Sequence, residues 1–250
     1  MTRPVTAASE PLAREAPVFI EVAGLTKRYG EQQALANVSF DIRCGEILGL
    51  IGPNGSGKTT LLETMAGVLP VDHGDVLWRG TAVSLAHRRD LIFYLPDGLR
   101  PWDDQYVERV LEFFAAVYGR SKGDARETVR SVGLAPVLGK RVSALSKGFS
   151  RRLMLALALM TPHPLLLMDE PFDGFDLKQT RDIMGIIRRV AANGRTLVLA
   201  IHQLTDAERI CDRFVLLASG TVRGIGTLAD LRVRTDLASA GLEEVFLALT

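Results

Sequence analysis

The chain has 250 residues, a formal net charge of +1 and two cysteines. This length allows one large domain or two small ones with a full hydrophobic core. The nearly neutral charge excludes the overall basic field that is typical of nucleic-acid-binding proteins. Two cysteines are too few for a disulfide framework and indicate a reducing compartment. No uninterrupted apolar run reaches about 18 residues, so the sequence predicts no membrane-spanning helix.

The first part of the chain is predicted to be a leader followed by strands. Residues 1–17 are rich in proline and lack the apolar segment of a signal peptide, so we interpret them as disordered. Apolar and polar residues alternate between turn residues over 18–51, which predicts strands. A further short strand is predicted at 74–80.

A glycine-rich loop follows these strands. Residues 52–59 read Gly-Pro-Asn-Gly-Ser-Gly-Lys-Thr, a complete G-x-x-x-x-G-K-[ST] phosphate-binding motif. It lies between a predicted buried strand at 46–51 and a predicted helix at 60–66, so backbone N–H groups and the helix N-terminus can bind phosphate oxygens. Lys58 is expected to reach the β- and γ-phosphates, and the Thr59 hydroxyl is expected to bind Mg²⁺. The predicted nucleotide-binding residues of this loop are Gly52, Pro53, Asn54, Gly55, Ser56, Gly57, Lys58, Thr59 and Thr60.

The middle of the chain is predicted to be helical from about 104 to 160. One apolar helix face, which we interpret as a core face, is formed by Val107, Val110, Leu111, Phe114 and Val117. A loop at 121–123 precedes a second helix. Strands at 165–168 and 196–201 then flank a helix at 177–192. Strands that alternate with helices predict a parallel sheet with crossovers, and the helices between the strands predict an inserted helical subdomain.

Polar residues follow two of these strands. Asp169 and Glu170 come directly after one strand, and His202 follows the next. Phosphoryl transfer needs metal coordination and a group that orients the attacking water. We therefore predict that Asp169 holds Mg²⁺ through water, that Glu170 polarises the attacking water and that His202 donates a hydrogen bond to the γ-phosphate. The alternative is a strand that simply ends in a charged loop.

The segment 145–150, Leu-Ser-Lys-Gly-Phe-Ser, resembles the LSGGQ signature of the nucleotide-binding subunits of ATP-binding cassette (ABC) transporters. The phosphate loop, the signature, the strand ending at Glu170, an Asp-Gly-Phe-Asp segment and His202 follow one another in the family order. The resemblance covers about residues 18–232. It implies a P-loop NTPase fold of the α/β class, with a mostly parallel sheet, an antiparallel β subdomain, a helical subdomain at about 98–160 and a C-terminal helical extension at 233–250.

The resemblance also implies roles for single residues. Tyr29 is expected to stack on adenine, although an ordinary turn aromatic is the alternative. Ser146 and Gly148 are expected to bind the γ-phosphate held by a second subunit, and Ser146 opens a helix whose N-terminus attracts anions. Asp176, in the segment that resembles the family's D-loop, is placed with the nucleotide-binding residues and faces the partner subunit. Lys58, Glu170 and His202 form the expected catalytic set.

Three positions depart from the family pattern. Lys147 replaces the first signature glycine, and Phe149 replaces the signature glutamine. Asp97 stands where the family has the Q-loop glutamine; we predict that it is a metal ligand, although it adds negative charge near the γ-phosphate. The Lys147 variant and the segment 241–249 resemble exporters whose ATPase and membrane subunits are separate chains.

The resemblance therefore implies an ATPase subunit that uses ATP and Mg²⁺. We expect it to dimerise with ATP, as a homodimer or a heterodimer, and to power a separate transmembrane permease of an exporter. It would lie at the cytoplasmic face of the plasma membrane, with its docking surface near Leu99, Pro101 and Trp102, and would not bind nucleic acid. The alternatives are a soluble ABC ATPase without a transport role and a monomeric small-molecule P-loop kinase, which would need neither the signature nor His202.

Overall fold

A computed structural model describes residues 16–250, so most of the predicted leader lies outside the described residues. The strands are β1 (Val18–Tyr29), β2 (Gln32–Arg43), β3 (Ile47–Ile51), β4 (His73–Trp78), β5 (Thr81–Ala82), β6 (Ile92–Leu95), β7 (Leu165–Asp169), β8 (Thr196–Ile201), β9 (Arg213–Ala218) and β10 (Thr221–Gly226). The α-helices are α1 (Lys58–Ala66), α2 (Leu85–Leu91), α3 (Val107–Val117), α4 (Lys122–Ser131), α5 (Lys147–Met160), α6 (Leu177–Ala192), α7 (Leu204–Ile210), α8 (Leu228–Thr235) and α9 (Leu242–Leu249). None of these helices combines the length and the apolar character that crossing a bilayer requires.

The larger sheet carries the phosphate loop. Its strand order is β10-β9-β3-β8-β7-β6. Strands β3, β6, β7, β8 and β9 run parallel, and β10 runs antiparallel to β9 at the edge. Because β3, β8 and β7 are neighbours, the residues that follow their carboxyl ends lie side by side, which is where ligands bind in open α/β sheets.

The parallel sheet is covered on both faces, as its apolar strands require. Along β3, Ile47 and Ile51 face a core formed mainly with α3, α5, α6 and α7. Leu48 and Leu50 face the other way, into a core formed with α1 and the antiparallel sheet. This alternation follows from the two-residue period of a strand.

A second, four-stranded sheet has the order β2-β1-β4-β5, with every pairing antiparallel. Its apolar side chains, such as Ile20 and Leu35, pack into the same core as Leu48 of the parallel sheet. The backbone N–H of Ala36 on β2 donates to the carbonyl of Gly220 in the β9–β10 turn at 2.8 Å. The two sheets are thus joined by packing and by main-chain hydrogen bonding, and the predicted mixed α/β fold is confirmed.

Helices α3, α4 and α5 lie between β6 and β7 in the chain, within the segment predicted to be helical. Val107, Val110 and Leu111 of α3 are buried, as the apolar face predicts. Val117 is exposed, so the prediction of a core face is wrong at this residue, because α3 ends there and its last turn leaves the core. Helix α8 begins at Leu228 behind the capping box of Thr227 and Asp230, so the predicted domain boundary at 233 falls inside a helix.

Candidate functional site

The phosphate loop turns sharply between β3 and α1. Gly57 has φ of 105° and is the N-cap residue of α1, and a Cβ at this position would lie 2.6 Å from the carbonyl oxygen of Ala34. Only glycine fits such a conformation and approach. No side chain caps α1 at its N-terminus, so its first N–H groups are available to an anion.

Lys58 lies folded across this loop. Its Nζ donates to the carbonyl oxygens of Gly52 at 2.8 Å and Pro53 at 3.3 Å. Burial lowers the pKa of the Lys58 ammonium, while the charges of Glu170 and Asp169 oppose that shift. The arrangement places a buried cation next to the loop that would hold phosphates.

The next residue, Thr59, links the loop to β7. Its Oγ1 donates to Oδ2 of Asp169 at 2.7 Å. Asp169 is buried, and this burial raises the pKa of its carboxyl, whereas the hydrogen bond from Thr59 and the charge of Lys58 lower it. Mg²⁺ prefers hard oxygen ligands and is commonly held by one or two protein side chains together with phosphate oxygens. The hydroxyl of Thr59 and the carboxylate of Asp169 therefore fit this ion.

Glu170 has a non-glycine left-handed conformation, with φ of 48°. Its backbone N–H donates to the carbonyl of Ala200 at 3.0 Å, which extends the β7–β8 pairing by one residue. Its Oε2 lies 2.7 Å from Nδ1 of His202 and accepts the backbone N–H of the same residue at 3.4 Å. Since a carboxylate accepts, Nδ1 carries the hydrogen. The base and the γ-phosphate sensor expected from the sequence are therefore directly paired, and one carboxylate oxygen remains available to a water molecule.

Lys58, Thr59, Asp169 and Glu170 line a cavity of about 650 Å³, within the range of small-molecule sites, whereas His202 is not part of its wall. The predicted residues in its wall are Tyr29, Asn54, Gly55, Gly57, Lys58, Thr59, Thr60, Asp97, Asp169 and Glu170. Four further wall residues were not expected from the sequence, namely Gln32, Gln33, Ala34 and Ser219. They belong to the start of β2 and to the β9–β10 turn, and no local motif marks them. Gly52, Pro53 and Ser56 shape the loop without lining the cavity.

Other predicted residues lie on a separate surface. Ser146, Gly148 and Asp176 do not line the cavity. Ser146 is exposed at the N-cap of α5, where its Oγ accepts the backbone N–H of Phe149 at 3.4 Å. Asp176 is the N-cap residue of α6 and accepts the backbone N–H of Gln179 at 2.8 Å. Within one chain, the signature residues are therefore not part of the phosphate site.

Comparison with known proteins decides the family. A family model described as "ABC transporter" matches residues 35–173. The chain belongs to the ABC transporter family. It is an ATP-binding ATPase subunit of this family, which confirms the expected fold and enzyme class. The same finding excludes the P-loop kinase alternative.

Similar proteins agree with this membership. The linearmycin resistance ATP-binding protein LnrL of Bacillus subtilis is 29% identical over 92% of this chain and 78% of its own. The ABC-type transporter ATP-binding protein EcsA of Bacillus subtilis is 30% identical over 93% of this chain and 96% of its own. A solved ATP-binding subunit of an ABC transporter superposes with a TM-score of 0.84 at 30% identity and covers 92% of this chain and 99% of its own.

Proposed function

We propose that this ABC ATPase works as one of two ATPase subunits that drive a separate transmembrane permease, and that the transporter is an exporter. The observation that supports this most directly is the division of the site between two surfaces. One surface holds Lys58, Thr59, Asp169 and Glu170 around the cavity. The other carries Ser146 at the exposed N-terminus of α5. A second subunit would bring the two surfaces together.

The side chains around the cavity support a positioning and electrostatic mechanism. The loop N–H groups and Lys58 would bind the triphosphate, with Tyr29 at the cavity wall for adenine. Mg²⁺, held by Thr59 and Asp169, would supply charge neutralisation at the phosphates. Glu170 would orient the attacking water and accept its proton, while His202 holds the carboxylate in place through the 2.7 Å contact.

The second surface supports ATP-driven dimerisation. Ser146 presents a hydroxyl at a helix N-terminus, and an anion is stabilised at such a position. The N-termini of α5 and α6 lie close together, since a Cβ on Gly148 would be 3.8 Å from the ring of Phe175, just before α6. This combined surface would cover the γ-phosphate bound by the partner subunit. Export is supported by the name of the resistance protein LnrL and by Lys147 in the signature.

An apolar patch after Asp97 supports docking of the permease. We define the patch by Leu99 and Trp102, in the loop before α3, and by Phe113 on α3, which are all exposed. Trp102 is 58% exposed and Phe113 52% exposed. Their rings meet edge-on with centroids 5.8 Å apart, so Trp102 both contacts the adjacent helix and remains available to a partner. Docking here would hold the subunit at the cytoplasmic face of the membrane.

Co-purification tests this assignment. Tagged wild-type protein should retain a transmembrane chain from detergent-solubilised membranes of the source cells, and the double variant Trp102→Ala/Phe113→Ala should retain at least about tenfold less, because loss of a buried aromatic anchor typically costs 2 kcal/mol or more. Leu247→Ala, at another exposed leucine, is the matched control and should retain the partner fully. Equal recovery with the double variant and Leu247→Ala would refute the patch. A wild-type chain that stays entirely in the non-membrane fraction would favour a role outside transport.

A further inference from the structure

Arg151 connects three parts of the candidate site. It lies on α5, and its side chain is only 16% exposed. One terminal nitrogen donates to Oδ1 of Asp97 at 2.5 Å and to Oδ2 of Asp173 at 3.2 Å. The other donates to the backbone carbonyl of Glu170 at 3.3 Å. One guanidinium thus joins the loop after β6, the turn after β7 and the helix that carries the signature.

The contact between Arg151 and Asp97 matters because the cavity wall carries more carboxylates than cations. Asp97, Asp169 and Glu170 all line the cavity, and among its wall residues, which all lie in the described part of the chain, Lys58 is the single lysine or arginine. A nucleoside triphosphate brings several more negative charges into this space. An unpaired carboxylate at position 97 would repel it, because charges several ångströms apart still interact appreciably at the low effective dielectric of a protein site. Arg151 approaches Asp97 from α5 and supplies the missing positive charge.

Asp97 shares the cavity wall with Thr59 and Asp169, the two residues proposed to hold Mg²⁺. A charge at position 97 therefore lies in the same cavity as the proposed metal site. An isolated surface ion pair would contribute little. Arg151 differs because it is largely buried and has three acceptors in two separate segments.

We propose that Arg151 is a positioning residue that neutralises Asp97 and holds its carboxylate against the cavity wall, so that the site accepts a triphosphate despite an acid in place of the family's glutamine. This inference rests on the nucleotide site proposed above. It predicts that the need for Arg151 depends on the charge at position 97. It also ties the orientation of α5, and so of Ser146, to the edge of the phosphate site.

The test measures equilibrium binding of ATP by calorimetry, in EDTA and in Mg²⁺, without turnover as a readout. Arg151→Gln should bind ATP about tenfold more weakly in EDTA, since one uncompensated charge near the phosphates has an effect of that order. The defect should shrink in Mg²⁺, because Asp97 then faces a cation. The double variant Asp97→Asn/Arg151→Gln should recover to within about threefold of wild type.

Three comparisons separate the outcomes. Arg109→Gln removes the same charge from an exposed pair with Glu112 and should bind ATP like wild type. Arg151→Lys keeps the charge and should bind within about threefold of wild type even if Arg151→Gln is poorly folded. The inference is refuted if Arg151→Gln binds like Arg109→Gln, if Asp97→Asn gives no recovery, or if Arg151→Lys is as weak as Arg151→Gln. A wild-type chain that binds no ATP, or a Lys58→Ala variant that binds it normally, would instead refute the nucleotide site itself.

Discussion

At the scale of single residues, the pair of Glu170 and His202 is the most informative feature of the site. Glu170 has a left-handed backbone conformation that costs about 1 kcal/mol or more and that a compact fold keeps only where neighbouring contacts fix it. Here the backbone pairing with Ala200 and the contact with His202 fix it. In this conformation Glu170 lies in the cavity wall. We therefore propose that Glu170 accepts the proton and that His202 supports it.

Glu170→Gln tests that assignment. The amide keeps the size of the side chain but cannot accept a proton from water, so ATP hydrolysis should fall by about 10²–10⁴-fold while ATP binding is retained. Turnover by phosphate release and binding by calorimetry check the two expectations separately. Glu243→Gln, at an exposed glutamate on α9, is the matched control and should leave both unchanged. Hydrolysis within a few-fold of wild type in Glu170→Gln would remove Glu170 from the catalytic set.

The elements differ in how far the sequence could predict them. The helix at 177–192 and the strand at 196–201 have the predicted bounds, because a capping box at Asp176 starts the helix and a continuous apolar run forms a strand buried on both faces. The phosphate loop was predictable because its motif is local. Gln32 and Ser219 were not, since the pairing of two sheets distant in sequence brings them to the cavity wall. The contact between Arg151 and Asp97 likewise depends on how α5 packs.

A buried ion cluster joins the elements of the two sheets. Arg213 at the start of β9 donates to Glu46, just before β3, at 3.1 Å and to Asp41 on β2 at 3.1 Å. Arg213 and Glu46 are both buried. Burial raises the pKa of the Glu46 carboxyl despite the opposing charge of Arg213. The cluster therefore depends on its arginine, because a buried charge without a partner is strongly destabilising.

Arg213→Met should lower the free energy of unfolding by about 3 kcal/mol, because it leaves the buried Glu46 carboxylate without the positive charge that pairs with it. Urea unfolding followed by circular dichroism measures this change, and Arg223→Met, at an exposed arginine on β10, should change stability by less than about 0.5 kcal/mol. Burial raises the pKa of the Asp41 carboxyl, but the hydrogen bond and the charge of Arg213 lower it, and the net pKa is below the usual value. The contribution of this pair is present above the unfolded-state pKa of Asp41 and is lost as pH falls through the lowered folded-state pKa. If Arg213→Met lowered the free energy of unfolding no more than Arg223→Met does, the cluster would not stabilise the fold.

At the scale of the whole molecule, the cavity and the signature residues, which we propose to act together, are separate in one chain. Ser146 and Gly148 are not in the cavity wall; they lie at the N-terminus of α5. The contacts of Arg151 with Asp97 and Asp173 hold α5 in place, so we do not expect its N-terminus to move over the cavity of its own chain. Two chains that face each other could place the N-terminus of α5 of one chain over the cavity of the other and keep these contacts. The arrangement therefore favours a site shared between subunits.

ATP-driven dimerisation is the corresponding expectation. Glu170→Gln with saturating ATP should form a stable dimer, because ATP stays bound between the two surfaces when hydrolysis is blocked. Light scattering coupled to gel filtration should give a mass near twice 27.3 kDa with ATP and near 27.3 kDa without it. The double variant Lys58→Ala/Glu170→Gln should remain monomeric with ATP, because the loop loses its phosphate-binding cation. A Glu170→Gln chain that binds ATP and stays monomeric at every concentration would contradict the homodimer and leave a different ATPase subunit as the partner.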